Sequence, residues 1–171
     1  PPYAIESVWG VKGIGLLGGM LKWRLYIPIH LRGEVVSWTT RSITPNKVPR
    51  YYSARDSESK ISIKDLLYGI DFVCNSVIVC EGPLDVWKIG PGAVALMGQQ
   101  VTPAKMEQLT RVPNRIICFD REDEAQRRAW NLLADLCVYP GTTRNVVIPE
   151  KDPGCAEETT IETLRNFLKG V

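Results

Sequence analysis

The sequence predicts an α/β chain in which a small, mainly antiparallel β-rich part precedes a parallel sheet of about four strands flanked by helices. Two observations predict it. From residue 77 onward, near-continuous apolar runs alternate with helical ones, as expected of strands covered on both faces and joined by right-handed crossovers. Before residue 65 the strand-like runs come instead as a close pair across a glycine turn, the pattern of a hairpin.

The first long apolar window, GVKGIGLLGGMLKWRLYIPI (10–29), contains Lys12, Lys22 and Arg24. Each is costly at the centre of a bilayer, so no membrane span is expected. Within it GIGLLG (13–18) matches G-x-G-x-x-G, but no strand is predicted before it and a strand rather than a helix after it. A flexible turn is expected there, and the absence of Gly-Lys-Ser/Thr excludes a P-loop. WRLYIPIHL and EVVSWTTRSI read as two strands joined at Arg32-Gly33. TPNKVPRYYSARDSESK is a polar, basic, proline-bearing loop, and IKDLLYGI a short helix. The parallel strands are VIVCE (77–81), AVALM (93–97), RIICFD (115–120) and RNVVI (144–148). Between them lie helical LDVWKIG, PAKMEQLTRV and EDEAQRRAWNLLADLCV. Thr102 is placed to cap the second, with Pro103 at its first position. The third carries Ala125, Ala129, Leu132, Leu133 and Leu136 on one face and acids in its first turn.

The 171 residues suit one medium domain, or one with a small attachment, and 44% hydrophobic with 23% charged side chains is ordinary for a soluble protein. The first twenty residues have no signal-peptide pattern. The chain begins Pro-Pro without an initiator Met, so a piece of a larger protein or a processed product is expected. Five cysteines without a C-x-x-C pair and a single histidine, His30, argue against zinc in this piece. Cysteines within apolar runs fit a reducing, cytoplasmic compartment. Charge is uneven: residues 22–64 carry nine Lys/Arg against Glu34, Asp56 and Glu58, whereas residues 65–171 carry eleven basic and fifteen acidic side chains. The basic part is either a solvated loop surface or a track for a polyanion.

A buried strand has no structural use for a terminal glutamate. Glu81 nevertheless ends VIVCE, Gly82-Pro83 turns into the next helix, and Asp85 follows on its first turn. RIICFD likewise ends on Asp120, with Glu122, Asp123 and Glu124 behind it. In a parallel α/β sheet the carboxyl ends of the strands open into a crevice. Neighbouring strands would therefore bring Glu81, Asp120 and Glu122 to one rim, with Asp152 after the fourth strand. Carboxylates so gathered repel one another and need a cation, for which magnesium is the natural hard ion. Asp123 and Glu124, and equally Asp85, also suit the start of a helix without any ligand role.

VIVCEGPLDVW followed by RIICFDRED resembles the Toprim signature, and the expected fold is accordingly Toprim-like, a Rossmann-like α/β arrangement. RLYIPIHLRGEVVSWTTRSI, VPRYYSARDSESK, SIKDLLYGI and AVALMGQQVTPAKMEQL, in that order, resemble segments of bacterial-type and phage DNA primases, over roughly residues 22–168. The resemblance implies a β-rich basic subdomain over 1–70 and a Toprim domain over 71–171. It implies Glu81 as catalytic carboxylate, either metal ligand or general base, and Asp120 and Glu122 as catalytic magnesium ligands supported by Asp85 and Asp152, with manganese as a substitute ion. It also implies Arg41, Arg50, Tyr51 and Lys64 as the nucleotide- or nucleic-acid-binding residues. Trp38, Tyr51 and Tyr52 lie among these charges as candidates for base stacking, with packing inside the hairpin the expected fate of Trp38. Two departures stand out: Glu122 replaces the usual second aspartate, and Gly154 stands where the family's Asp-Pro-Asp has its last carboxylate.

The activity so implied is RNA primer synthesis from ribonucleoside triphosphates on single-stranded DNA, alongside a replicative helicase in cis or in trans, in the cytoplasm of a bacterium or a phage-infected cell. The alternatives are a Toprim nuclease or topoisomerase-type cleavage of phosphodiesters, and a non-catalytic module that grips nucleic acid or a helicase.

Overall fold

A computed structural model describes residues 2–45 and 47–169. Compactness divides the chain into Pro1–Ile63 and Lys64–Val171. The second unit thus begins before residue 71, because Tyr68 is tied to the parallel sheet: its N–H and C=O exchange hydrogen bonds of 3.0 and 2.9 Å with Ala95.

In the first unit α1 (Pro2–Trp9) precedes β1 (Lys12–Ile14), β2 (Arg24–Leu31), β3 (Glu34–Ser42) and β4 (Tyr51–Ser53), which form one antiparallel sheet in that order. Leu31 pairs with Glu34 across Arg32 and Gly33. Both turn residues have positive φ, 55° and 78°, as a two-residue hairpin loop matching the strand twist requires. The glycine motif at 13–18 is not a free turn. Its first residues pair with β2 as an edge strand and the rest coil into a 3-10 segment, Leu16–Leu21. No phosphate-binding helix follows. Arg24, only 2% exposed, donates to the carbonyls of Pro49 (2.6 Å) and Arg50 (3.2 Å) and so fastens the basic loop to the sheet.

The second unit contains β5 (Ser76–Cys80), α2 (Pro83–Ile89), β6 (Ala93–Ala95), α3 (Pro103–Thr110), β7 (Asn114–Ile117), α4 (Asp123–Cys137), β8 (Thr142–Asn145) and α5 (Glu158–Leu168). All four strands are parallel, in the order β6-β5-β7-β8. Every residue of the central β5 is buried, which explains its unbroken apolar sequence. The fourth strand lies earlier than its apolar run suggests. As an edge strand β8 is polar and half exposed, while Val146–Ile148 leave the sheet. IKDLLYGI is not a helix: a 3-10 turn at Ile63–Asp65 leads to buried Leu66–Tyr68, which close the β6 edge. Helix α5, assigned to no element from sequence, is fixed by Arg165, which donates to the carbonyls of Ile89 (2.7 Å) and Lys88 (3.0 Å) at the end of α2.

Thr102 caps α3 by accepting the Lys105 N–H, as expected. Lys105, in the first turn where a cation opposes the helix dipole, is buried for a separate reason. Its ammonium donates to the carbonyls of Leu96 (2.6 Å) and Gln100 (3.3 Å), bracing the loop after β6. Lys105→Met keeps the volume and strands both carbonyls, so thermal or urea melting is expected to show a loss of about 2 kcal/mol. Gly141 has φ +109°, and a Cβ there would lie 2.2 Å from the Pro113 carbonyl, so only glycine fits between α4 and β8.

Candidate active site

The parallel register that pairs Val79 with Ile117 carries two chains side by side to the carboxyl edge of the sheet. Cys118 donates its N–H to the Val79 carbonyl at 2.9 Å, so residues 118–120 continue the path of β7 beyond its last ladder pair. Cys118 and Phe119 are buried, and Asp120 emerges at the rim beside Glu81, the residue after β5. The switch in strand order falls here too, since β6 and β7 flank β5 on opposite sides.

Asp120 is half-buried, and its carboxylate has no hydrogen-bond or ion-pair partner among the described residues. Burial pushes its carboxyl up to about 7, aided by the negative charges of Glu81, Asp85, Asp152 and Glu122. Four of the five predicted acids therefore act on the fifth. Their situations differ. Asp85 is 7% exposed; its Oδ2 accepts the Gly82 N–H (3.1 Å) and its Oδ1 the Gly154 N–H (2.9 Å). Burial raises its carboxyl pKa against the lowering effect of those two bonds. Asp85 thus builds the rim, joining the start of α2 to the turn at Pro153–Cys155, with both oxygens already engaged. Asp152 caps that turn through the Cys155 N–H at 2.8 Å. Glu122 stands at the exposed margin, 3.4 Å from Lys151.

The rim glycines serve different ends than the sequence suggests. Gly82 has ordinary extended backbone, and a Cβ there would meet only Asp85 Oδ2 at 3.6 Å, so it keeps the site open without being needed for the turn. Gly154 is tighter. A Cβ there would sit 3.1 Å from Asp85 Oδ1 and 3.2 Å from Asp152 Oδ1, so the carboxylate missing at this position has little room beside them.

Sequence reasoning missed Arg128. From α4 its Nη2 donates to Glu81 Oε1 while its Nη1 lies 3.3 Å from Glu124 Oε1, in an ion pair whose inner partners are 24% and 26% exposed. Its position four residues after Glu124 signals an intrahelical pair; nothing local signals Glu81, which is brought to it by the crossover.

Among the described residues no group of three or more His, Cys, Asp or Glu side chains is arranged to hold a metal ion. Magnesium demands less than such a cage, because it keeps several waters and takes one or two carboxylates together with substrate phosphates. Asp120, repelled by four neighbours and without a cation partner among the described residues, fits that demand; Asp85, with both oxygens engaged, does not.

The predicted basic residues of the first unit also gather. Arg41 and Arg50 line a cavity of about 540 Å³ together with Ser42, Thr44 and Lys47. Arg41 donates to the Tyr51 hydroxyl at 2.5 Å, with its guanidinium carbon 5.3 Å from the centre of that ring. Lys64 is exposed and opens the second unit. Among the described residues no helix is long and apolar enough to cross a membrane.

No protein-family model and no curated protein matches the chain. Solved structures do. The Aquifex aeolicus primase, in its zinc-binding and RNA polymerase domains, is similar with a TM-score of 0.74 and 22% identity over 88% of this chain and 40% of that one. The DnaG primase catalytic domain bound to single-stranded DNA gives 0.71 and 23% over 86% of this chain and 51% of that one. The primase fragment of the bacteriophage T7 primase-helicase gives 0.60 and 14% over 95% of this chain and 76% of that one. The chain therefore has the fold of primase catalytic cores and spans about half the length, or less, of these first two.

Proposed function

We propose that this chain is the catalytic core of a DNA primase, a metal-dependent nucleotidyltransferase that joins ribonucleotides on a single-stranded DNA template. One observation carries the reading: the likeness to primase cores runs over 88% of the chain, more than either of its two units alone supplies. A Toprim sheet alone would be compatible with phosphodiester cleavage as well.

Asp120, with Glu122 and Glu81, would hold magnesium or manganese, and Asp152 lies close enough to add to the negative field. When bound, the ion supplies Lewis-acid activation of the primer 3′-hydroxyl and neutralises charge on the leaving pyrophosphate. Glu81 is oriented by Arg128 and serves as acceptor for the hydroxyl proton or as a further oxygen ligand. Asp85 is a positioning residue: by holding Gly82 and Gly154 it fixes the turns that present Glu81 and Asp152. Arg41, Arg50 and Lys64 bind template or triphosphate oxygens, giving salt-dependent and largely sequence-independent affinity, with Tyr51 steadying Arg41. The working setting is the cytoplasm of a bacterium or phage-infected cell, with a helicase in cis or in trans.

The test is template-directed ribonucleotide incorporation with magnesium. Incorporation that falls at least a hundredfold in Glu81→Gln while DNA binding persists is the expected result. Strand nicking without incorporation indicates the nuclease. The Glu81–Arg128 pair favours a second reading, a non-catalytic nucleic-acid or helicase-binding module, and binding with neither activity indicates that one.

A further inference from the structure

We infer that the face of the antiparallel sheet carrying Tyr26, Trp38 and Tyr52 is a stacking platform for the bases of single-stranded DNA. The proposal rests on the reading that this chain handles a single-stranded template, and it turns the stacking candidates Trp38, Tyr51 and Tyr52 into one defined surface: Tyr26 joins Trp38 and Tyr52, and Tyr51 falls on the opposite face. The three rings come from β2, β3 and β4 and form a row, with centroids 6.2 Å apart and tilts of 36° and 31° between neighbours. Trp38 is therefore not sealed inside the hairpin but stands in the middle of that row.

Register explains the row. Tyr26 and Tyr52 both pair with Thr40, and Trp38 lies two residues before it on the same face. The rings roof Thr40, which is fully buried, while each ring keeps part of its own surface in water. Cross-strand packing accounts for the inner surfaces. It leaves the outer ones unused, and neither the Tyr26 nor the Tyr52 hydroxyl has a hydrogen-bond partner among the described residues. By contrast the Tyr51 hydroxyl, on the opposite face, accepts from Arg41.

Charge selects the occupant. Arg24, two residues before Tyr26, holds the Pro49 and Arg50 carbonyls, which fastens the basic Lys47–Arg50 stretch to the strand that carries Tyr26. The acids of this region are engaged elsewhere: Glu34 with Lys60, Glu58 with the Arg55 N–H and Asp56 with Ser62. Aromatic surface in a part of the chain where Lys and Arg outnumber acids suits a strand whose bases are unpaired and whose phosphates run alongside.

The experiment measures binding of the intact chain to an oligothymidylate and to an abasic oligonucleotide of equal length, which has the phosphates but no bases. The thymidylate is expected to bind roughly tenfold tighter or more. Trp38→Leu and Tyr52→Leu are expected to lose that advantage while retaining abasic binding and its salt dependence, and Trp38→Phe to keep it. Equal binding of both oligonucleotides by the wild-type chain overturns the platform alone. Variants that bind thymidylate as tightly as wild type, as they would if the row seated a protein, overturn it too. Binding of neither oligonucleotide overturns the platform and the template reading together.

Discussion

Asp120→Asn is expected to reduce primer synthesis by roughly a thousandfold or more and, in the same molecule, to raise the melting temperature of the chelator-treated chain at pH 8. The first effect follows from removing a rim carboxylate that has no partner among the described residues, since metal-assisted charge neutralisation contributes several kcal/mol to phosphoryl transfer. The second follows from the same repulsion. Folding raises this carboxyl from its ordinary value to about 7, because burial and four neighbouring acids disfavour its charge. A raised acid favours the fold only while protonated. Its ionisation therefore weakens the fold progressively as pH climbs from about 4 to about 7, and fully above that. Solvent screening of a half-exposed group reduces the gain at pH 8 to about 1–2 kcal/mol, or roughly 2–8 °C for a chain of this size. At pH 4 the aspartic acid is already neutral when folded, and the two proteins are expected to melt together. Incorporation assays and calorimetry at the two pH values check both halves. An asparagine variant no more stable than wild type at pH 8 would mean that Asp120 already has a compensating cation.

The same electrostatics explain why the rim was legible in the sequence and its interior wiring was not. A glutamate or aspartate terminating an apolar strand is locally anomalous, so Glu81 and Asp120 announce themselves, and strand alternation then places them on one edge. Asp85 also stands out by spacing, but its role does not. Only the fold shows that the Gly154 N–H, far along the chain, takes its second oxygen. Arg128 reads as an ordinary surface residue of α4 until the crossover lays it against Glu81. Elements failed where local pattern and tertiary context diverged. Leu66–Tyr68 have helix-compatible spacing but close a sheet edge, and β8 is a strand without apolar residues because it is an edge. The aromatic row is legible only through register, since Tyr26 and Tyr52 meet over Thr40 across two separate ladders.

Arg115→Met is expected to do the opposite of the Asp120 substitution, from the other end of the same strand. Arg115 is 1% exposed, and its guanidinium donates to five oxygens: Thr143 Oγ1 and the carbonyls of Val112, Leu136, Tyr139 and Pro140. These belong to the turn before β7, the end of α4, and the loop and strand that follow it. One cation thus supplies further donors to carbonyls in and just beyond the last turn of a helix, where intrahelical donors run out. Methionine approximates the apolar stem and supplies none of the donors, so buried carbonyls lose their hydrogen bonds at a combined cost of about 3–5 kcal/mol. That is a large share of a total stability of roughly 5–15 kcal/mol, and melting is expected to fall by about 10 °C. Incorporation assayed well below the melting point should stay near wild type, because Asp120 leaves β7 at the edge opposite to this clamp. Loss of activity without loss of stability would show that the amino end of β7 also sets the geometry of its acidic end. Stability unchanged would show that the α4–β8 connection is held by its apolar contacts alone.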